Sequence, residues 1–272
     1  MLVRTVVGIL FAIVYLTFLL VLPPVWLAIA LAGVVALASY ELLRAVKAAP
    51  RPYMYFCTAL SAAAIPVGFW AGVGSIVVYG VTVFLLVTLF FTAIRHFESA
   101  HEVRYDQLMV CFFGGILVPV CLSALVQLRG MENGRFLVLL PVICANLTDV
   151  GAYFVGMFLG KHRGITKVSP NKSLEGYVGG IVFGCLVMML YALVLRQFMG
   201  VEVSIPLMAL YGIAGSAVTE LGDLSFSLIK RQNGVKDYGN LLPGHGGMMD
   251  RFDSTVFAAP TILVLVWLMP AF

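Results

Sequence analysis

Glu220, Asp223, Ser227 and Lys230 follow one another at steps of three, four and three, so a helix sets all four on one face. Two carboxylates, a hydroxyl and an ammonium on one stripe are groups that hold a hard cation and neutralise phosphate oxygens. The stripe continues into Arg231, Lys236-Asp237, Pro243-Gly244-His245-Gly246-Gly247 and Asp250-Arg251-Phe252-Asp253. Asp250 and Asp253, with Asp223, offer the oxygens Mg²⁺ prefers and leave coordination positions for phosphate. Lys230, Arg231, Lys236 and Arg251 suit a polyphosphate, and the glycines around His245 are expected to leave backbone N–H groups free to approach it. No GxxxxGK[ST] loop is present, so this is not a Walker A site. A D-x-x-D pair alone is unspecific. Its conjunction with intramembrane carboxylates, a basic pair and a Gly-rich turn within 220–253 is far more specific.

A second stripe places Asn146, Asp149 and Tyr153 together. Between the two lies Lys161-His162-Arg163, followed by Ser169-Pro170-Asn171-Lys172-Ser173-Leu174-Glu175-Gly176. Pro170 discourages helix before it, and Ser173 ahead of Glu175-Gly176 reads equally well as a helix entry and as a ligand contact. His96 and His101 stand among Glu98, Glu102 and Arg104 and read as a surface loop rather than a metal site. The five cysteines, Cys57, Cys111, Cys121, Cys144 and Cys185, are scattered singly without a CxxC pair and read as small buried apolar residues.

These residues need elements to position them, and composition says which. Of 272 residues, 61% are hydrophobic and 11% charged, against roughly 45–50% and about 25% in ordinary soluble domains. With a mean hydropathy of +1.02, this excludes a soluble globular enzyme and a disordered chain. Apolar runs near 3–22, 25–46, 54–71, 73–94, 107–128, 136–160, 176–198, 204–228 and 254–270 are long enough to cross a bilayer, giving nine expected spans in an all-α polytopic membrane protein. Arg4 ahead of the first run gives it a signal-peptide look. The run is long, ends in Pro23-Pro24 and has no A-x-A site, so it reads as a retained span.

Nine spans put fourteen of the 17 basic residues on one side and leave Arg129, Arg135 and Arg196 on the other, so the basic side is expected to be cytoplasmic. The net charge of +4 therefore reads as topology first and anion binding second, with no nucleic acid partner. The expected organisation is an N-terminal transmembrane region, 1–135, and a C-terminal catalytic region, 136–272, with cytoplasmic loops 161–175 and 229–253 and a polar cavity facing the cytoplasm. Asp149, Glu220 and Asp223 are the acidic residues assigned to span interiors, where each needs a cavity, a partner or a cation.

The run from Ser227 to Asp253 resembles the signature of the CDP-diacylglycerol synthases, S-x-x-K-R-x4-K-D-x-G-x2-L-P-x-H-G-G-x2-D-R-x-D, at every fixed position. Thr148-Asp149-Val150-Gly151-Ala152-Tyr153 and Ser169 to Gly176 resemble two further stretches of that family. They depart from it at Val150 (usually Thr) and at Asn171, Ser173 and Leu174 (usually Lys, Thr and Trp). Together these cover the C-terminal 125 or so residues. The resemblance implies phosphatidate cytidylyltransferase activity at a bacterial-type inner membrane: CTP and phosphatidate give CDP-diacylglycerol and pyrophosphate. It implies Mg²⁺ on Asp223 and Asp250, with Asp253 or Glu220 in support, and a second, monovalent cation and a homodimer. Catalytic roles then fall to Lys230, Arg231, Lys236, Asp237 and His245. Substrate contacts fall to Asp149, Ser169, Asn171, Lys172, Ser227, Gly246, Gly247 and Arg251. A secondary transporter would also use intramembrane Asp and Glu, but it gives no reason for a Gly-rich basic loop ending in D-R-F-D. CDP-alcohol phosphotransferases expect D-G-x2-A-R and prenyltransferases expect two aspartate motifs, and neither pattern is present. An intramembrane serine protease fits worst, because Ser227 and His245 lie among anion-binding groups.

Overall fold

The apolar runs form helices that stop where the sequence cannot continue them. A computed structural model describes residues 2–99, 102–164, 166–241 and 244–272, without the side chains of residues 2–4. His101, Leu242, Pro243 and the Arg4 side chain therefore lie outside what is described. The helices are α1 (Leu2–Leu16), α2 (Pro24–Ala45), α3 (Pro52–Trp70), α4 (Gly74–Arg95), α5 (Tyr105–Phe112), α6 (Val118–Gly130), α7 (Gly134–Leu137), α8 (Leu139–Leu159), α9 (Leu174–Phe198), α10 (Ile205–Gln232) and α11 (Met249–Leu268). π-Helical turns extend α1 over Thr17–Val21 and join α5 to α6 over Phe113–Leu117. Pro24 and Pro52 open their helices, where a missing N–H costs nothing. Gly72, at φ +76°, turns the chain between α3 and α4.

Among the described residues eight helices, counting Tyr105–Gly130 and Gly134–Leu159 as one each, are long and apolar enough to cross a membrane, and the protein is an all-α polytopic membrane protein. Nine spans were expected. The first run is helical as well, from Leu2 through the π-helical turn to Val21, and stops before Pro23-Pro24. Ile76, Tyr79, Phe91 and Ile94 of α4 are all more than 60% exposed, an apolar surface suited to lipid rather than water. The loop expected over 229–253 is also shorter at both ends. Nothing breaks the helix until Asn233-Gly234, with Gly234 at φ +68°, so Lys230 and Arg231 belong to the last turn of α10. Asp250 falls in the first turn of α11, where a carboxylate suits the helix N-terminus, and Asp253 follows one turn later.

The chain divides into two compact units, one comprising residues up to Gly130 with Gln232–Phe252, the other Met131–Arg231 with Asp253–Phe272. In the first, α2 packs on α3 and α6, and α3 on α4, around Leu43, Met54, Ile65, Leu85, Leu89 and Leu108. Arg129, expected in an outer loop, is instead buried: its Nε donates to the Leu19 carbonyl at 2.8 Å and Nη2 to the Leu22 carbonyl at 3.4 Å. Those carbonyls lie at the π-helical end of α1, where regular helical bonding stops and polar atoms need a donor.

In the second unit α8 pairs with α9, and α10 crosses both at glycines. A Cβ on Gly212 would lie 2.7 Å from the Cys185 Cα, and one on Gly215 2.5 Å from the Cys144 Sγ. Only glycine lets the helix backbones approach this closely, the usual way helices associate without water to expel. Thr148 Oγ1 donates to Ser216 Oγ at 2.7 Å across the same buried seam. This packing fixes the relative rotation of the helices that carry Asp149, Glu220 and Asp223.

Candidate functional site

A cavity of about 530 Å³ opens in the second unit among α8, α9, α10 and the 160–173 loop. Asp149 and Tyr153 line it from α8, Arg163, Asn171 and Lys172 from the loop, Tyr177 from α9, and Glu220 and Asp223 from α10. Its centre is an ion cluster. The Lys172 Nζ lies 2.8 Å from Glu220 Oε2 and 2.7 Å from Asp223 Oδ2, and 5.3 Å from the centre of the Tyr177 ring. The Glu220 side chain is only 5% exposed, and its second oxygen, Oε1, is buried with no hydrogen-bond partner among the described residues.

The loop delivers Lys172 because both of its ends are tied. Ser173 Oγ accepts the Gly176 N–H at 3.1 Å and caps α9. The Leu174 N–H donates to the His162 carbonyl at 3.0 Å, and a single bridge pairs Arg163 with Ser173. The Glu175 carboxylate accepts the backbone N–H groups of Lys161 and His162 at 3.2 Å, and its Oε1 lies 2.6 Å from His162 Nδ1. The Lys172 N–H closes on the Ser169 carbonyl at 3.2 Å, around Pro170. Ser173 therefore serves as the helix entry, one of the two readings its sequence context allowed, and the next residue upstream reaches the acids. Burial draws the Lys172 ammonium down, but Asp223 and Glu220 outweigh that and hold it above the ordinary lysine value, so it stays charged.

Near the end of α10, Lys230 is buried with Nζ 4.0 Å from Asp253 Oδ2, while Arg231 is exposed. Asp149 is exposed at the cavity wall. Asn146 donates to the Val142 carbonyl and does not line the cavity among the described residues, nor do Ser169 and Ser227. Glu220 and Asp223 already share one cation, and a buried carboxylate oxygen stands beside it without a partner. Such a hard oxygen set fits Mg²⁺. No three His, Cys, Asp or Glu side chains close on a point among the described residues of this unit, so the acids form an open wall rather than a complete cage.

The remaining site residues lie in the first unit. Asp250 Oδ2 accepts the Tyr238 N–H at 2.8 Å and the Gly247 N–H at 3.0 Å. The expectation that the glycines leave their N–H groups to a ligand thus fails at Gly247, whose donor satisfies Asp250 in a turn that Gly246 makes at φ +79°. His245 is half-buried beside α1, where a Cβ on Gly8 would lie 3.1 Å from its Nε2. Lys236, Asp237 and Arg251 are exposed. A fourth intramembrane acid, Glu41 of α2, belongs with these residues: it is 7% exposed and accepts the Met249 N–H at 2.9 Å. The criterion that picked out Asp149, Glu220 and Asp223, an acid inside an apolar span, applied equally to Glu41 within 25–46. Tyr177 gave no such signal, since one aromatic in an apolar helix is ordinary.

Spanning helices with a partly buried acidic cluster around a lysine define a polytopic membrane protein with a charged cavity. The chain belongs to the cytidylyltransferase family, which it matches over residues 2–269. It is 42% identical over 135 residues to the phosphatidate cytidylyltransferase of Staphylococcus epidermidis, covering 50% of each chain. It is 36% identical over 165 residues to that of Bacillus subtilis, covering 60% of this chain and 59% of the relative. To that of Mycobacterium tuberculosis it is 37% identical over 161 residues, covering 58% and 47%. The chain thus spans about half the length of the curated relatives it matches.

Proposed function

We propose that this protein is a phosphatidate cytidylyltransferase, joining the phosphate of phosphatidate to the cytidylyl group of CTP with release of pyrophosphate. The observation that carries the reading is the cavity in which the 160–173 loop places Lys172 between the buried Glu220 and the partly buried Asp223. A phosphatidate oxygen attacks the α-phosphorus of CTP, and the bond from that phosphorus to the bridging oxygen of the β-phosphate breaks. The nucleophile is already an anion, so the task is to bring two anions together and stabilise the leaving charge rather than to remove a proton. Lys172 and Arg163 offer donors to phosphate at the cavity, and Asn171 an amide. Lys230, Arg231 and Lys236 follow in sequence as further cations, with Arg251 beyond. Mg²⁺, which Asp223 would hold with Glu220 or Asp253 in support, would neutralise the developing pyrophosphate charge. A monovalent second cation, a homodimer and a bacterial-type inner membrane with the cavity facing the cytoplasm complete the proposal. The test is direct: purified protein in detergent with labelled CTP, phosphatidate and Mg²⁺ is expected to form CDP-diacylglycerol. Failure to form it, with the protein folded, removes the reading.

Two further outcomes follow from this reading. Lys230 is buried near Asp253 whereas Arg231 is exposed, so geometry matters more at the first. Lys230→Arg is expected to lower turnover at least about tenfold, roughly 1.4 kcal/mol, because a planar guanidinium does not replace a point-charge ammonium. Arg231→Lys is expected to cost less; equal activity in the unaltered and Lys230→Arg proteins would leave Lys230 as an interfacial anchor. For topology, single cysteines at exposed Lys167 and Asn240 are expected to be shielded from an impermeant thiol reagent outside the cell. Cysteines at Glu132 and Glu202 are expected to react, all in a background lacking the five native cysteines. The reverse pattern would invert the assignment.

A further inference from the structure

Glu41 lies outside the Ser227–Asp253 signature, on a helix that chemistry has not so far explained. A carboxylate buried in an apolar helix is costly unless hydrogen-bonded, so its partners show what it is for. Its Oε2 accepts the N–H of Met249, the first residue of α11. The opening N–H groups of a helix have no partner within it and carry partial positive charge, so Glu41 caps α11 from another helix. The same carboxylate seats two glycines. A Cβ on Gly239 would collide with Glu41 Oε1, and a Cβ on Gly247 with Oε2. Asp250 grips the segment from its other end through the Tyr238 and Gly247 N–H groups, so residues 238–241 and 244–250 are held between two carboxylates.

We propose that Glu41 is a positioning residue: by capping α11 and seating Gly239 and Gly247, it fixes the backbone on either side of residues 242–243, and with it Asp250, in the geometry the reaction uses. Glycine at 239 and 247 is then required by the approach of Glu41 rather than by a nucleotide. The catalytic part rests on the transferase reading; the placement part does not. The test compares Glu41→Ala, Glu41→Gln and Gly247→Ala in the full chain, by amide hydrogen exchange and by steady-state kinetics.

Glu41→Ala is expected to speed exchange over 238–250 at least about tenfold, with α3 and α4 unchanged. It is expected to lower kcat at least about tenfold while KM for CTP moves less than about threefold. Glu41→Gln keeps an acceptor oxygen and is expected to recover most of both. Gly247→Ala is expected to reproduce Glu41→Ala, and the double variant to be no worse than either, because both break one contact. Should Glu41→Ala fail to accumulate, Gly247→Ala carries the exchange test. Unchanged exchange over 238–250, equal loosening of α3 and α4, or a Gln variant as impaired as the Ala variant overturns the proposal. An unaltered protein that makes no CDP-diacylglycerol removes only the transferase reading, and exchange still decides the placement.

Discussion

Asp223→Asn is expected to lower turnover on the order of 10² to 10³-fold, the range seen when one electrostatic contact to the developing charge is lost. Asparagine keeps the volume and one oxygen but removes the charge that attracts a divalent cation. The fold should survive, because Lys172 retains Glu220 as its partner at 2.8 Å. Steady-state kinetics in detergent micelles, beside a thermal unfolding curve, separate the two effects. Activity within about threefold of the unaltered protein would exclude Asp223 from metal binding.

Lys172→Met is expected to remove activity and stability together. The change leaves Glu220, 5% exposed, and Asp223 facing each other without a cation. Stripping one partner from a buried pair costs about 3–5 kcal/mol; Lys172 is 26% exposed, so roughly 2–3 kcal/mol fits here. Glu220→Gln in the same chain should restore much of the lost stability, because it removes the stranded charge, while leaving turnover low. A double variant as active as the unaltered protein would show that Lys172 serves only to neutralise Glu220. The pair also predicts a pH range. A lysine held above its ordinary value of 10.5 stabilises the fold fully below that pH, and the contribution is lost only as pH rises through the folded-state value. Between pH 6 and pH 9 titration of Lys172 itself should therefore not shift the melting temperature of the unaltered protein.

Much of the site was legible because it obeys local rules. Glu220 and Asp223 lie three apart in a helical run, so periodicity alone places both on one face of α10. Ser173 before Leu174-Glu175-Gly176 announces the start of α9. The limits of the 229–253 loop were less legible, since a hydropathy boundary marks where lipid-like sequence stops, not where helical hydrogen bonding stops. Lys230-Arg231 and Asp250-Arg251 are polar enough to read as loop yet continue α10 and open α11. Arg129 misleads for the same reason: a basic residue at a span end reads as facing water, whereas here it satisfies two carbonyls left over by a π-helical turn.

Composition and periodicity by themselves determined that this chain is a bundle of membrane-spanning helices, because each apolar run must satisfy its backbone internally once it enters lipid. They also determined which acids and bases stand near helix ends, since a helix spaces its own residues by fixed geometry. Only the tertiary structure decided which of these groups meet. Lys172 reaches Glu220, 48 residues away, because a tied loop and glycine-lined helix crossings bring it there. Glu41 meets Met249, 208 residues away, because two glycines leave room for its carboxylate. Such pairings depend on complementary packing between elements remote in sequence, and no local pattern encodes the partner.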